Sequence, residues 1–386
     1  MRILYGVVGE GMGHALRSRV VLDYLLAEGH EVLVVVSGRA HKFLSTRFEG
    51  RSGIQIVEIH GLTLQYGDNA LNLTDSVLSN LGQMPAGLLK NIETYRLVVE
   101  KRFQPEAVVT DFESWAHLYG IRHRLPVISI DNMQVINRCK HDAAIIGKKT
   151  SVDFRIAKLA VKVKIPRAYH YLITSFFFPA VRKKRTTLVT PILREEVLKA
   201  KRAPGAHVLV YQTSSSNTEL VPTLQKLPGT FRVYGMGREG VEGNVTLCPF
   251  SETGFLKDLA EARAVITGGG FTLIGEALHL RIPILSVPVV GQFEQMMNGR
   301  YIAAYGYGAC EDKIDAATVE RFLGNLATYE ENLRSYAAQD NTMLYDCLGE
   351  LLTRVAKDEP APNILDREAM GHWTSKKERR AAKNAP

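Results

Sequence analysis

One stretch narrows the possible folds of this chain more than any other: AVITGGGFTLIGEALHLRIPILSVPVVGQFEQMMNGR, residues 264–300. Ala264–Thr267 is a short apolar run that ends in Gly268-Gly269-Gly270. Leu273, Ile274, Ala277, Leu278 and Leu280 then recur at helical spacing. Ile282–Val290 is apolar and β-branched and contains Pro283 and Pro288, which suits a buried strand and the loop after it. Strand, glycine turn, helix and strand in that order predict a parallel α/β sheet. Glycines at such a turn let backbone N–H groups approach a ligand, and a helix N-terminus favours an anion there. A tight turn with no ligand would carry the same glycines.

The residues that follow extend the pattern. Glu276 lies one helical turn beyond Thr272, so both can face the glycine turn. Glu294, Gln295 and Asn298 crowd the start of the next helix. The set Thr267, Gly269, Gly270, Glu276, Ala277, Leu278, Pro288, Glu294, Gln295 and Asn298 resembles the donor-binding half of nucleotide-sugar glycosyltransferases of the GT-B fold. The nearest likenesses are the UDP-glycosyltransferases of secondary metabolism and the N-acetylglucosaminyltransferase of peptidoglycan synthesis. The resemblance implies two Rossmann-like βαβ domains facing across a cleft, with a C-terminal helix crossing back. It implies that Gly268, Gly269, Gly270, Phe271 and Thr272 surround the donor diphosphate. Glu276 would take the ribose hydroxyls, and Glu294, Gln295 and Asn298 the sugar side. Gly268 stands where the family often has a phosphate-contacting His, so that contact must come from backbone or elsewhere.

The chain opens on a second unit of the same kind. Arg2–Val8 is an apolar strand, Gly9–His14 a glycine-rich turn, Leu16–Leu25 a helix and Glu31–Val36 a strand. The turn lacks the third glycine of a dinucleotide fingerprint, and no acid follows the second strand, which disfavours NAD. The loop Gly11-Met12-Gly13-His14 resembles the first glycine loop of the same glycosyltransferases, which faces the acceptor. His14 is the expected general base, with a helix-start residue as the alternative. Ala107–Thr110 is a further strand, with Asp111 at its end, where sites form in α/β sheets. The resemblance makes Asp111 the partner of His14; capping a helix that starts at Glu113 is the other reading.

Boundaries follow from these rhythms. An acceptor-side domain is expected over 1–190, a proline-bracketed linker over 191–204 and a donor domain over 205–340. A crossover helix spans 341–358 and a disordered basic tail 359–386. Helices are expected at 83–103, 314–326 and 330–356. In the family, the first turn of the donor domain, here Thr213 and Ser214, helps hold the phosphates or sugar, and Phe250 meets the base.

Charge separates into blocks. The net charge is +8, yet residues 154–202 hold thirteen Lys/Arg and two acids. Interleaved with them are Phe154, Tyr169, Tyr171 and Phe176–Phe178. This segment is either a solvated basic face or a peripheral contact for anionic lipid or an anionic acceptor. Nucleic acid is not an expected partner. Four scattered cysteines without a CxxC disfavour zinc and disulfides and suit a reducing cytoplasm. No secretion leader is expected, so the protein is placed in the cytoplasm or peripherally at the inner membrane face.

The chemistry expected is metal-independent, inverting transfer from a nucleotide sugar, preferably UDP-linked, to a hydroxyl acceptor that is lipid-linked or anionic. No cofactor is expected beyond the nucleotide sugar itself. A non-hydrolysing sugar-nucleotide epimerase would share the fold but turn over donor alone. A non-catalytic nucleotide-sugar sensor would keep Gly269–Glu276 without needing His14.

Overall fold

The protein is described by a computed structural model over residues 1–9, 11–61, 65–67, 70–72, 90–147, 151–212, 218–249 and 251–365. The first half runs β1 (Arg2–Val7), α1 (Met12–Ala27), β2 (Glu31–Val36), α2 (Gly38–Arg47) and β3 (Ile54–Glu58). A short antiparallel pair, β4 (Gln65–Gly67) and β5 (Ala70–Asn72), follows. Next come α3 (Thr94–Phe103), wound as a π-helix, β6 (Ala107–Asp111), α4 (Ser114–Arg122) and β7 (Val127–Asp131). α5 (Gln134–Arg138), α6 (Ala143–Ile146), α7 (Ser151–Lys164), β8 (His170–Thr174) and β9 (Thr186–Val189) complete it, and α8 (Glu195–Lys199) leads out.

The second half runs β10 (His207–Tyr211), α9 (Leu220–Gln225), β11 (Thr230–Tyr234), β12 (Gly240–Glu242), β13 (Val245–Cys248) and α10 (Glu252–Glu261). It continues with β14 (Ala264–Thr267), α11 (Phe271–His279), β15 (Ile284–Ser286), α12 (Phe293–Ala304) and β16 (Gly308–Cys310). α13 (Ala316–Gly324), α14 (Leu326–Arg334) and α15 (Thr342–Ala356) close the described chain.

Each half is built on one seven-stranded sheet, in the orders β3-β2-β1-β6-β7-β8-β9 and β12-β13-β11-β10-β14-β15-β16. Every pairing in the first is parallel, and only β12 is antiparallel in the second. The continuous apolar runs of β1, β2 and β6 have this cause, since strands covered by helices on both faces bury every side chain. This is the two-domain GT-B architecture. Strand order reverses between β1 and β6 in one sheet and between β10 and β14 in the other. Such reversals open a crevice at the carboxyl ends of the strands. Val7 pairs with Asp111 at the first reversal and Tyr211 with Thr267 at the second. The loops carrying His14 and the three glycines therefore leave from the two switch points.

Several expectations need correction. The first part of the expected linker 191–204 is anchored in the core: Ile192, Leu193, Arg194 and Val197 are buried, and Asn341 bonds both the N–H and the C=O of Leu193. The expected helix 330–356 is two helices, α14 and α15, separated by that Asn341 clamp. α15 lays Leu344, Cys347, Leu348 and Leu351 into the core of the first half, and Tyr345 stacks on Tyr24 at 4.5 Å. Residues 359–365 are not part of a disordered tail. The Asn363 carbonyl accepts from Thr186 N, Leu365 N donates to Thr187 Oγ1, and the Leu365 side chain is buried. Residues 366–386, and 83–89 of the expected helix 83–103, lie outside the described residues. β8, between β7 and the edge strand β9, is a buried strand where the sequence predicted none, and of Phe176–Phe178 the first two are core and only Phe178 is exposed.

Candidate active site

The site begins with the turn between β1 and α1. Gly11 takes φ +83 and caps α1 with no side chain, so the first N–H groups of the helix are left open. His14, Arg17 and Ser18 then share one face of α1 at i, i+3 and i+4. All three reach Asp111 at the end of β6. His14 Nδ1 lies 2.9 Å from Asp111 Oδ1. Arg17 donates from Nη2 to Oδ1 at 2.5 Å and from Nε to Oδ2 at 2.8 Å, and Ser18 Oγ donates to Oδ2 at 3.1 Å. The Asp111 side chain is 1% exposed and His14 22%. Asp111 caps no helix. That role falls to Glu113, whose carboxylate accepts from Trp115 N and Ala116 N.

The electrostatics follow from this packing. Burial alone would raise the Asp111 carboxyl, but the Arg17 guanidinium, and then His14, hold it below the usual carboxylate range. Burial first, and the charge of Arg17 second, push the His14 imidazole below its ordinary value despite Asp111. His14 is therefore neutral at pH 7. Arg17 Nη2 also lies 2.8 Å from His14 Nδ1. A guanidinium only donates, and its proton has Asp111 Oδ1 as a nearer acceptor, so Nδ1–H pointing at the same oxygen satisfies both groups. That tautomer leaves Nε2 with its lone pair, and Nε2 has no partner among the described residues.

The second half closes over this turn. Thr272 Oγ1 in the first turn of α11 donates to the Gly13 carbonyl at 3.2 Å, and a Cβ on Gly13 would stand 2.8 Å from that hydroxyl. Gly269 has φ +90, and a Cβ there would stand 2.7 Å from the Gln295 carbonyl. Only glycine fits that backbone. Asn298 Nδ2 donates to the Gly269 carbonyl at 3.0 Å and to Glu294 Oε1 at 2.5 Å. Gln295 Oε1 accepts from Val289 N at 3.0 Å. Glu294 Oε1 also accepts from Asn132 Nδ2 at 2.7 Å, and Asn132 Oδ1 accepts from Arg17 Nη1 at 2.6 Å. A polar chain thus runs from Asp111 through Arg17 and Asn132 to Glu294, across the cleft. Burial raises the Glu294 carboxyl to about 7, and burial raises Asp131 beside Asn132 to about 6.

Of the residues singled out in the sequence, His14, Asp111, Gly13, Gly269, Thr272, Glu294 and Asn298 converge here. Gly11 and Met12 lead into the same turn; Gly268 and Gly270 flank Gly269, and Gln295 braces the loop after β15. Phe271 is different: its side chain is buried and stacks on Phe176 of the first half at 6.0 Å, so only its backbone N–H faces the turn. Glu276 is different too. Both of its oxygens accept from Arg194, at 2.8 and 3.0 Å, and the two side chains are 3% and 4% exposed. The carboxylate expected to meet a ribose is thus already the counter-ion of the residue that leads out of the first half. Thr213, Ser214 and Phe250 lie outside the described residues.

Arg17, Ser18, Asn132 and Arg194 were not singled out. For Arg17 and Ser18 a signal existed, the helical spacing from His14, and for Asn132 its place at the carboxyl end of an apolar strand; Arg194 carried none. Among the described residues no three His, Cys, Asp or Glu side chains gather as a metal-holding group. A cavity of about 270 Å³ lined by Arg124, Arg167 and Tyr169 lies at the opposite, amino ends of β7 and β8, away from all of these groups.

Comparison with known proteins bears on the family and the fold. Residues 1–327 match the profile of glycosyl transferase family 1. An uncharacterized glycosyltransferase of Methanosarcina acetivorans is 26% identical over 331 residues, covering 80% of this chain and 85% of the relative. The crystal structure of the glycotransferase of kitacinnamycin superposes with a TM-score of 0.63 at 16% identity, over 90% of this chain and 98% of that one. The O. sativa protein Os79, solved with UDP, superposes with a TM-score of 0.64 at 14% identity, over 91% of this chain and all of the other. With its profile match spanning both sheets and both switch-point loops, the chain belongs to glycosyl transferase family 1.

Proposed function

We propose that the protein transfers a hexosyl or N-acetylhexosaminyl group from a UDP-linked sugar to a hydroxyl acceptor, with inversion and without a metal. The observation that carries this reading is the His14–Asp111 pair, held by Arg17 directly across the cleft from the N-terminus of α11. In this reading the acceptor hydroxyl gives its proton to His14 Nε2 as its oxygen bonds the anomeric carbon. The bond from that carbon to the diphosphate breaks, and the leaving oxygen takes the electron pair. Asp111 keeps the imidazole in the productive tautomer and stabilises the imidazolium. Arg17 acts through Asp111 and is a positioning residue.

The leaving diphosphate is met by the open N–H groups after Gly270 and by the helix dipole, fixed in advance of the reaction. Glu294 Oε2 and Gln295 Nε2, which have no partner among the described residues, are the groups left for sugar hydroxyls. The resemblance also assigns Thr213, Ser214 and Phe250 to the donor. A uridine nucleotide is favoured by the UDP held in the O. sativa neighbour. Glu276 could reach a ribose only by sharing its carboxylate with Arg194.

The test is UDP release from a panel of UDP-sugars, with donor binding followed by thermal shift, since a ligand of the folded state raises apparent stability. Positioned base catalysis contributes roughly 10²–10⁴ in rate. His14→Ala should lose about that much turnover while keeping donor affinity, and Asp111→Asn should lose less. A His14→Ala protein that turns over at the parent rate would remove the base from this reading.

A further inference from the structure

α7 is apolar on two opposite faces. Its inner face carries Phe154, Ala157 and Val161, which pack on a core cluster shared by both halves. The Phe154 ring lies 5.5 Å from that of Phe293, the residue before Glu294. A helix that has buried one such stripe is usually polar on the other side. Here Val152, Ile156, Leu159 and Val163 recur at steps of four, three and four residues, and they are 62, 63, 59 and 66% exposed. At 3.6 residues per turn they fall within a sector of about 60°. Exposed apolar residues scattered singly are ordinary, but four in line on one helix mark an interaction surface.

Charge identifies what the stripe fits. Arg155, Lys158 and Lys162 run along one edge of it, and Arg182, Lys183 and Lys184 follow in the same basic segment. Antiparallel pairing with a second copy, about a two-fold axis perpendicular to the helices, would bring these cationic edges together, and like charges disfavour that. An anionic bilayer offers an apolar layer for the stripe and negative headgroups for its edge.

We propose that α7 is a docking helix by which the first half of the protein sits on an anionic lipid surface, with Val152, Ile156, Leu159 and Val163 turned into the bilayer interface. Tyr171, Phe176 and Phe177 of the basic segment are core and so are not the contact. Docking on this helix sets the cleft beside the bilayer, since the inner face of α7 reaches Phe293. The proposal does not depend on the transfer chemistry and is tested without it.

The experiment is cosedimentation of the full chain with vesicles of phosphatidylcholine alone and of phosphatidylcholine with phosphatidylglycerol at 3:1, at low and high salt. The protein should bind the anionic vesicles and release them as salt screens the attraction. Arg155→Gln with Lys162→Gln should weaken binding about 25-fold, at about fivefold for each cation near the surface. Ile156→Ser with Leu159→Ser should weaken it at least about tenfold. All four positions are exposed, so melting temperatures should stay at the parent value. A tryptophan placed by Ile156→Trp should shift to the blue on anionic vesicles and be quenched by brominated lipid. The same substitution at Val241, an exposed apolar residue of the second half, should do neither. No binding to anionic vesicles at low salt overturns the proposal, as does binding that survives the serine pair. A concentration-dependent dimer abolished by the serine pair would assign the face to a second copy instead.

Discussion

Removing the Glu276 carboxylate tests what holds the donor half to the rest of the chain. In Glu276→Ala the Arg194 guanidinium stays buried and loses two hydrogen bonds of 2.8 and 3.0 Å. Among the described residues its nearest remaining carboxylate is Glu252, at 3.9 Å and 30% exposed, which is too far for a hydrogen bond, and Glu196 acts only through its charge. Breaking a buried ion pair by deleting one partner costs about 3–5 kcal/mol, because the other charge is left uncompensated in low dielectric. For a cooperative unit of 150–250 residues that corresponds to a melting temperature lower by about 6–20 °C. A carboxylate whose work is to bind ribose predicts the reverse: a donor affinity weaker by about 1.5–3 kcal/mol, with little change in melting. Replacing both charges, Glu276→Leu with Arg194→Met, should restore most of the lost stability, since no buried charge remains unpaired. Melting without nucleotide and calorimetric titration with UDP at 20 °C read the two quantities separately. A Glu276→Ala protein that melts within about 2 °C of the parent would refute the ion-pair argument, and a large loss of UDP affinity in that same protein would give the residue to the ribose.

Other predictions rest on the same geometry. The His14 base is held below its ordinary pKa by burial and by Arg17, so kcat/KM should stay level through neutrality and fall on an acid limb below pH 6.5. Arg17→Gln removes the repelling charge and should move that limb to higher pH, which a merely structural role would not do. Glu294 has a folded-state carboxyl raised to about 7, so its contribution to stability is complete below the unfolded carboxyl range and is lost as pH rises through about 7. Melting temperature should therefore decline between about pH 5 and 7, and Glu294→Gln should flatten the decline. Gly269→Ala should lower stability by about 1–3 kcal/mol and abolish donor binding, since φ +90 and the Gln295 carbonyl leave no room for a Cβ; an alanine protein with parent melting and UDP affinity would count against that constraint.

The fold was legible in the sequence wherever the signal was local. Glycine turns after apolar runs, and the change from continuous apolar stretches to helical spacing, marked β1, α1, β14 and α11, and they put His14 and Gly268–Gly270 at the ends of their strands. The place of Asp111 at the end of β6 was legible in the same way. Its role was not, because a carboxylate two residues before a helix reads equally as a cap. The choice was made by Arg17 and Ser18 on α1, some 94 residues away in sequence, while Glu113 took the capping bonds.

What depended on distant neighbours stayed hidden. Glu276 matched a ligand-binding pattern, but its environment is set by Arg194, 82 residues earlier. The basic segment displayed its aromatic residues, yet tertiary packing buried Phe176 and Phe177 and left an aliphatic stripe of α7 in solvent. Periodicity and turn chemistry are properties of a few consecutive residues, so the sequence by itself determined which elements form and in what order. Which face of an element is core, which carboxylate meets which cation, and which side chain is left facing the cleft depend on surfaces brought together across two sheets, and only the tertiary structure decided them.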